Sequence, residues 1–196
     1  SAGFMTIDSW KARDPKTLDE VHAYYSENDK YLYDLVRWNA SADYQRLLAA
    51  LAGARNETIL EIGTGIGTTA EYLATRGNKV ETYDLPGVLR NFAAWRFQKL
   101  NGQAPRILES IPESGSYDRI VALDTIEHFH PDEFDETCDR LAGLLRPGGV
   151  LFAHNYWSQA EGSFPMHFDH SARWQAFVER HGMRQEGDLE WVKPAS

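Results

Sequence analysis

Ile59-Leu60-Glu61-Ile62-Gly63-Thr64-Gly65-Ile66-Gly67 is the stretch that decides the fold. A short apolar run that starts at Thr58 breaks into three alternating glycines, and helical spacing resumes directly after them at Thr68. A strand that turns so tightly needs positions without a β-carbon, both for positive φ and to let a ligand lie against the backbone. In a dinucleotide fingerprint the third glycine comes three residues after the second. That position is Thr68 here, and Gly67 comes one residue too early, so the spacing alone selects no ligand. Asp84, at the end of the second strand, adds a carboxylate where the first crevice of a parallel sheet would open, able to accept bonds from both hydroxyls of a ribose. It can also act as a helix N-cap ahead of Pro86.

Outward from this turn, strands and helices alternate. Thr58–Ile62 is the first strand, and Thr68–Arg76 a helix stopped by Gly77 and Asn78. Lys79–Tyr83 is the second strand, and a helix opening at Pro86 carries Val88, Phe92, Trp95 and Leu100 on one stripe. Arg106–Leu108 and Tyr117–Leu123 are the third and fourth strands, the fourth buried on both faces because Ile120 to Leu123 are all apolar. A helix from Pro131 through Phe134, Cys138, Leu141 and Leu145 closes at Arg146-Pro147-Gly148-Gly149, and Val150–Ala153 is the fifth strand. Upstream, residues 17–51 form an N-terminal helical layer with Leu18, Val21, Tyr25, Tyr31, Leu35 and Trp38 at helical spacing. Downstream, a last helix runs from Ala172 to His181, and Met183–Glu186 with Leu189–Val192 form a closing hairpin. Strands alternating with helices predict an α/β fold, a mostly parallel sheet with helices on both faces.

The chain has 196 residues, 42% of them hydrophobic, and a formal charge of −9. That suits one globular domain and disfavours a nucleic-acid partner, because such binding draws on basic residues that displace counterions. Arg90, Arg96 and Lys99 on one helix read as a solvated face. No apolar run reaches the roughly 18 to 20 residues of a membrane span. Ser1–Met5 lacks the pattern of a secretion signal, and Met5 reads as the natural start, so Ser1–Phe4 carry no functional expectation. Cys138, the single cysteine, reads as a core residue and fits a cytoplasmic, reducing location.

The run from Ile59 to Gly67 resembles the glycine motif of class I S-adenosylmethionine-dependent methyltransferases, with Glu61 at the family's usual acidic position. Tyr83-Asp84-Leu85 resembles their ribose-binding acid with the apolar residue that covers adenine. Tyr117–Val121 followed by Ile126-Glu127-His128-Phe129 is similar to their fourth-strand segment, and Leu144–Leu151 to the turn into their fifth strand. The resemblance implies a Rossmann-like sandwich in a single unit over residues 1–196, with a cofactor-binding core at 58–153 and a substrate loop, last helix and closing strands at 154–196. It implies S-adenosylmethionine as cofactor. Gly63, Thr64, Gly65 and Gly67 would approach its methionine part, Glu61 would orient the turn and Asp84 would hold the ribose. Leu85, Ser110 and Ile111 would border adenine, although the family often has an acid at 110, and Asp124 would lie near the amino group. For Asp124, a cap on the following turn is the competing reading.

Ligands of an open parallel sheet gather beyond the carboxyl ends of the strands, so acceptor residues should come from the segments after the fourth and fifth strands and from the N-terminal helices. Residues 154–170 concentrate histidines and aromatics without helical or strand period. His154 and His167 are candidate bases, and Asn155, Tyr156, Trp157 and His170 candidate substrate contacts. Hydrogen-bonded packing is the alternative for each histidine, His128 and His130 included. A metal is not expected: where a metal-dependent, catechol-type branch has an Asp after the fourth strand and an Asp-Asn pair after the fifth, this chain has Asp124 and His154-Asn155, the change from acid to His weakens a hard-cation site, and His167, Asp169 and His170 share only a common loop spacing. The implied function is methyl transfer to an oxygen or nitrogen of a small molecule, aromatic acceptors included. An RNA or protein methyltransferase, a nicotinamide-dependent oxidoreductase, which Gly67 and the Pro147-Gly148-Gly149 turn disfavour, and a non-catalytic cofactor-binding protein are the alternatives.

Overall fold

A computed structural model describes residues 5–157 and 164–195. Four helices come first: α1 (Met5–Arg13), α2 (Leu18–Glu27), α3 (Lys30–Asn39) and α4 (Ala42–Ala50). The helical layer therefore begins at Met5, not at Thr17. Only Thr6 and Trp10 of α1 are buried, too few to mark a periodic stripe in the sequence. Thr17 and Glu20 form a reciprocal capping box that starts α2, and Ser41 caps α4. Asp34 of α3, buried, accepts the backbone N–H groups of Met5 and Thr6 and the Thr6 hydroxyl, which pins the start of α1 to α3.

The core alternates β1 (Thr58–Ile62), α5 (Thr68–Ala74), β2 (Lys79–Tyr83), α6 (Val88–Phe97), β3 (Arg106–Ile107), β4 (Tyr117–Leu123), α7 (Phe134–Leu144), β5 (Leu145–His154), α8 (Ser171–Arg180), β6 (Arg184–Gln185) and β7 (Glu190–Val192). The strands form one seven-stranded sheet in the order β3-β2-β1-β4-β5-β7-β6. β1 to β5 pair in parallel, and β7 runs antiparallel between β5 and β6. Several ends shift by one or two residues from the sequence reading, as where α6 opens at Val88 and not at Pro86, and two boundaries shift further. α7 starts at Phe134, after turns at Pro131, and β5 begins at Leu145 because Arg146–Gly149 continue it, with Leu145 opposite Tyr117 ahead of a register shift.

Strand periodicity splits the core into two layers. Leu60 and Ile62, Ile120 and Ala122, Leu151 and Ala153 face α7 and α8, meeting Phe134, Cys138, Leu141, Trp174 and Phe177. Ile59, Val80, Val121 and Phe152 face the other way, onto Ala70 and Leu73 of α5 and Ala93 and Phe97 of α6. Cys138 is thus a buried core residue, its thiol pushed well up by burial. The chain winds from β1 outward to β3, then returns to the other side of β1 with β4. That reversal leaves a crevice above the carboxyl ends of β1 and β4.

Candidate functional site

The crevice widens into a cavity of about 660 Å³. Its floor is the β1 turn and the ends of β2 and β4, and its roof is built by α2 and α3 through Tyr25, Tyr31, Leu35 and Trp38. In the sequence these four sit at helical spacing and read as an inward stripe. Only Asp34 of α3 is buried; the stripe lines the cavity, with Tyr25 and Trp38 also packed against the small clusters around Tyr24 and Tyr44.

Gly63, Gly65 and Gly67 all adopt positive φ, at 80°, 52° and 81°. Their reasons differ. A Cβ on Gly63 would stand 2.2 Å from the Thr125 hydroxyl oxygen, and one on Gly67 would strike the Phe97 ring, so both permit close packing of the turn. A Cβ on Gly65 would meet only Leu35 of the roof, at 3.2 Å, so this glycine keeps the cavity open. Gly63, Thr64 and Gly65 line the cavity, whereas Glu61 and Gly67 stand behind it. Glu61 accepts the Thr82 hydroxyl at 2.7 Å, and Thr82 bonds Thr64, so the acid ties the turn to β2. Burial, with the Asp84 charge nearby, pushes its carboxyl up to about 8.

Asp84 accepts Gly65 N–H at 2.6 Å and Leu85 N–H at 2.8 Å. Burial raises it to about 6, against these bonds and the Arg90 charge. It does not cap α6, whose N-cap is Gly87. Leu85, Ser110 and Ile111 border the same end of the cavity.

Asp124 directly follows β4 in a left-handed conformation, φ 49°, unusual for a residue with a side chain. It does not cap the 3-10 turn Ile126–His128 that follows. One carboxylate oxygen accepts the Trp38 indole N–H at 2.9 Å and the other bonds His154 Nδ1 at 2.5 Å. His154 lines the cavity, and its hydrogen bond to Asp124 raises its pKa despite partial burial.

Tyr156 and His167 also line the cavity, next to His128. The Tyr25 hydroxyl bonds His128 Nδ1 at 2.7 Å, and the His128 and His167 rings stand edge to face 4.6 Å apart. Burial lowers His167 to about 4. Glu127 lies behind them, fully buried and pushed up to about 8 by burial and by Asp124. The other expected substrate contacts sit elsewhere. Asn155 and Trp157 face a separate recess beside α8, and His170 is buried under Phe134, bonding the Phe129 carbonyl at 2.8 Å. Residues 158–163 of the expected acceptor segment lie outside the described residues. Arg96 is no free basic group: it bonds the Ile66 carbonyl and Glu71.

The sequence matches the model of a methyltransferase-domain family over residues 36–192. It is 32% identical over 123 residues to the ubiquinone biosynthesis O-methyltransferase of Caulobacter vibrioides, covering 60% of this chain and 48% of that one. It is 28% identical over 134 residues to an uncharacterized methyltransferase of Geobacillus kaustophilus, covering 66% and 61%. The chain thus spans about three fifths or less of the length of these curated relatives. In fold it is similar to the Burkholderia thailandensis 1,6-didemethyltoxoflavin-N1-methyltransferase, solved with 1,6-didemethyltoxoflavin and S-adenosylhomocysteine, at a TM-score of 0.62 and 18% identity over 99% of this chain and 93% of that one. A glycine turn at the switch point of a 3-2-1-4-5-7-6 sheet, an acid ending β2 and a match across most of the chain give one answer: the chain belongs to the class I S-adenosylmethionine-dependent methyltransferases.

Proposed function

We propose that this cavity holds S-adenosylmethionine and delivers its methyl group to an oxygen or nitrogen of a small acceptor, with flat aromatic molecules the best fit. One observation carries the reading: the Cβ-free turn with Asp84 and an aromatic, histidine-bearing wall face each other across a single cavity. Its volume falls in the range of about 300–1,000 Å³ usual for ligand sites. The residues suit the cofactor. Asp84 offers carboxylate oxygens to the ribose hydroxyls, Gly65 leaves backbone bare for the methionine part while Gly63 lets the turn close against Thr125, Leu85 and Ile111 supply apolar surface to adenine, and Asp124 offers negative charge to the amino group. When bound, the cofactor supplies a methyl carbon made electrophilic by its sulfonium.

The chain's own residues position the acceptor and remove its proton. His154 is the base in this reading: Asp124 engages Nδ1, leaves Nε2 for the acceptor, and stabilises the imidazolium that forms. Tyr25, Tyr31 and Tyr156 provide aromatic surface to a flat ring. The negative charge speaks against RNA as acceptor, and the unpaired Cys138 suits the cytoplasm, where thiols stay reduced. No described helix is long and apolar enough to cross a membrane.

Parallel calorimetric titrations with S-adenosylhomocysteine and NAD test the cofactor, and transfer of labelled methyl groups to a panel of phenols, aromatic amines, bulk tRNA and protein tests the acceptor. Binding of S-adenosylhomocysteine alone and labelling of small molecules are expected. Binding of NAD alone would end the reading, and labelling confined to tRNA or protein would replace its acceptor.

A further inference from the structure

Glu127, His128 and His167 come from two separate segments and bring one candidate ligand atom each into proximity. Among the described residues, this is the one group of three or more acids, histidines or cysteines whose candidate ligand atoms all lie within 4.8 Å of one another. A tetrahedral ion with bonds of about 2.0–2.1 Å separates two ligands by roughly 3.4 Å, so small side-chain rotations close the set. The segments are already clamped together: Phe168 N–H donates to the Glu127 carbonyl at 2.7 Å.

The bonding of Glu127 leaves one oxygen open, as suits a carboxylate that receives a cation. Glu127 Oε1 accepts Tyr156 N–H at 3.2 Å, while Oε2 is buried and has no hydrogen-bond partner among the described residues. A buried carboxylate oxygen left alone is rare and costly. With its proton on Nδ1, His128 donates toward the Met166 carbonyl at 3.2 Å and the Tyr25 hydroxyl oxygen at 2.7 Å, which leaves Nε2 as the ligating nitrogen and fixes the ring. A metal-bound imidazole usually has its other nitrogen held in this way.

We propose that Glu127, His128 and His167 bind one divalent transition-metal ion. Two imidazoles and one carboxylate suit zinc, iron or cobalt and poorly suit magnesium or calcium, which favour all-oxygen shells. Three protein ligands leave a coordination position open. His128 and His167 line the cavity, so that position faces the space assigned above to the acceptor, where an oxygen of the acceptor can fill it. This last step rests on the proposed function; the binding of the ion does not.

The protein, freed of any histidine tag and dialysed against a chelator, is titrated with cobalt(II) while visible absorption is recorded. Binding of S-adenosylhomocysteine by each variant reports whether it is folded. One equivalent of cobalt, taken up with micromolar or tighter affinity, displaced by zinc and unaffected by millimolar magnesium, is expected. Glu127→Gln and His167→Gln should each weaken uptake at least tenfold and leave S-adenosylhomocysteine affinity within about twofold, and His170→Gln should leave cobalt uptake unchanged. No uptake by the wild type, or uptake equal in the Glu127 and His167 variants, overturns the site. Cobalt bound without S-adenosylhomocysteine would leave the site standing and sink the cofactor assignment instead.

Discussion

The indole N–H of Trp38 donates to the Asp124 carboxylate across 2.9 Å, joining α3 of the roof to the end of β4 in the floor. The same carboxylate holds His154, so roof, floor and candidate base meet at one side chain. Leu35 lies one turn before Trp38 and stands over Gly65, so the same helix covers the glycine turn.

Trp38→Phe keeps most of the ring and removes the donor. It should destabilise the fold by about 1–2 kcal/mol, the worth of a partly buried hydrogen bond to a charged acceptor. Urea unfolding of the single and double variants with Asp124→Ala, which removes the acceptor, checks this: coupling near zero between the two positions would show that the bond contributes nothing.

Asp84→Ala should weaken S-adenosylhomocysteine binding by about 1.5–3 kcal/mol. Asp84 also holds Gly65 N–H, so Asp84→Asn, which keeps an acceptor oxygen for the turn, separates ribose binding from turn geometry. Calorimetry on folded protein with unchanged affinity in both variants would remove the ribose assignment.

Gly65→Val should abolish cofactor binding while the protein stays folded, because its side chain would point into the cavity beside Leu35. Gly63→Ala should act through stability, since its Cβ would overlap Thr125. Melting temperatures and titrations of both variants give opposite patterns if this division holds; a normally binding Gly65→Val would show the turn to be structural only.

Glu61 lowers stability as pH rises. Its folded pKa of about 8 lies above the ordinary 4.5, so between those values the folded state keeps a proton that the unfolded state gives up. The slope approaches about 1.4 kcal/mol per pH unit in the middle of that window. Glu61→Gln keeps an acceptor for the Thr82 hydroxyl and should flatten the loss between pH 5 and 8. Denaturant unfolding across that range, with parallel slopes for the two proteins, would show that Glu61 is ionised in the fold.

His154→Gln should cut turnover about a hundredfold or more and leave cofactor affinity unchanged. Asp124 raises the histidine's pKa, so the imidazole is protonated at low pH and the wild-type rate should climb as pH rises through that value. The variant should lack this limb. Full turnover with an intact limb would reassign His154 to packing.

Much of the floor was legible because local chemistry dictates it. Strands β1 and β4 are largely apolar runs cut by glycine or acid, and Gly63, Gly65 and Asp84 follow from what such a turn can hold, whereas Leu85 comes only with the family resemblance. The roof was legible only as a class. Tyr25, Tyr31, Leu35 and Trp38 carry helical spacing, and spacing does not say whether a stripe meets protein or a cavity. The histidine segment misled in part because it has no period: Tyr156 and His167 reach the cavity, while Trp157 and His170 turn under α7 and α8. Glu127 read as a motif letter, and its burial beside His128 and His167 depends on a backbone bond between residues 127 and 168 that no local pattern foretells.

The strand order also bears on how the chain is made. β6 is synthesised before β7, yet it can join the sheet only through β7, which lies between it and β5. Until Glu190–Val192 leave the ribosome, β5 therefore presents an unpaired edge that includes Leu151 and Phe152, and Arg184–Gln185 have no strand to pair with. A nascent chain stalled before Glu190 would be a ready partner for chaperones or for another bare edge, and the last three-residue strand is what ends that exposure.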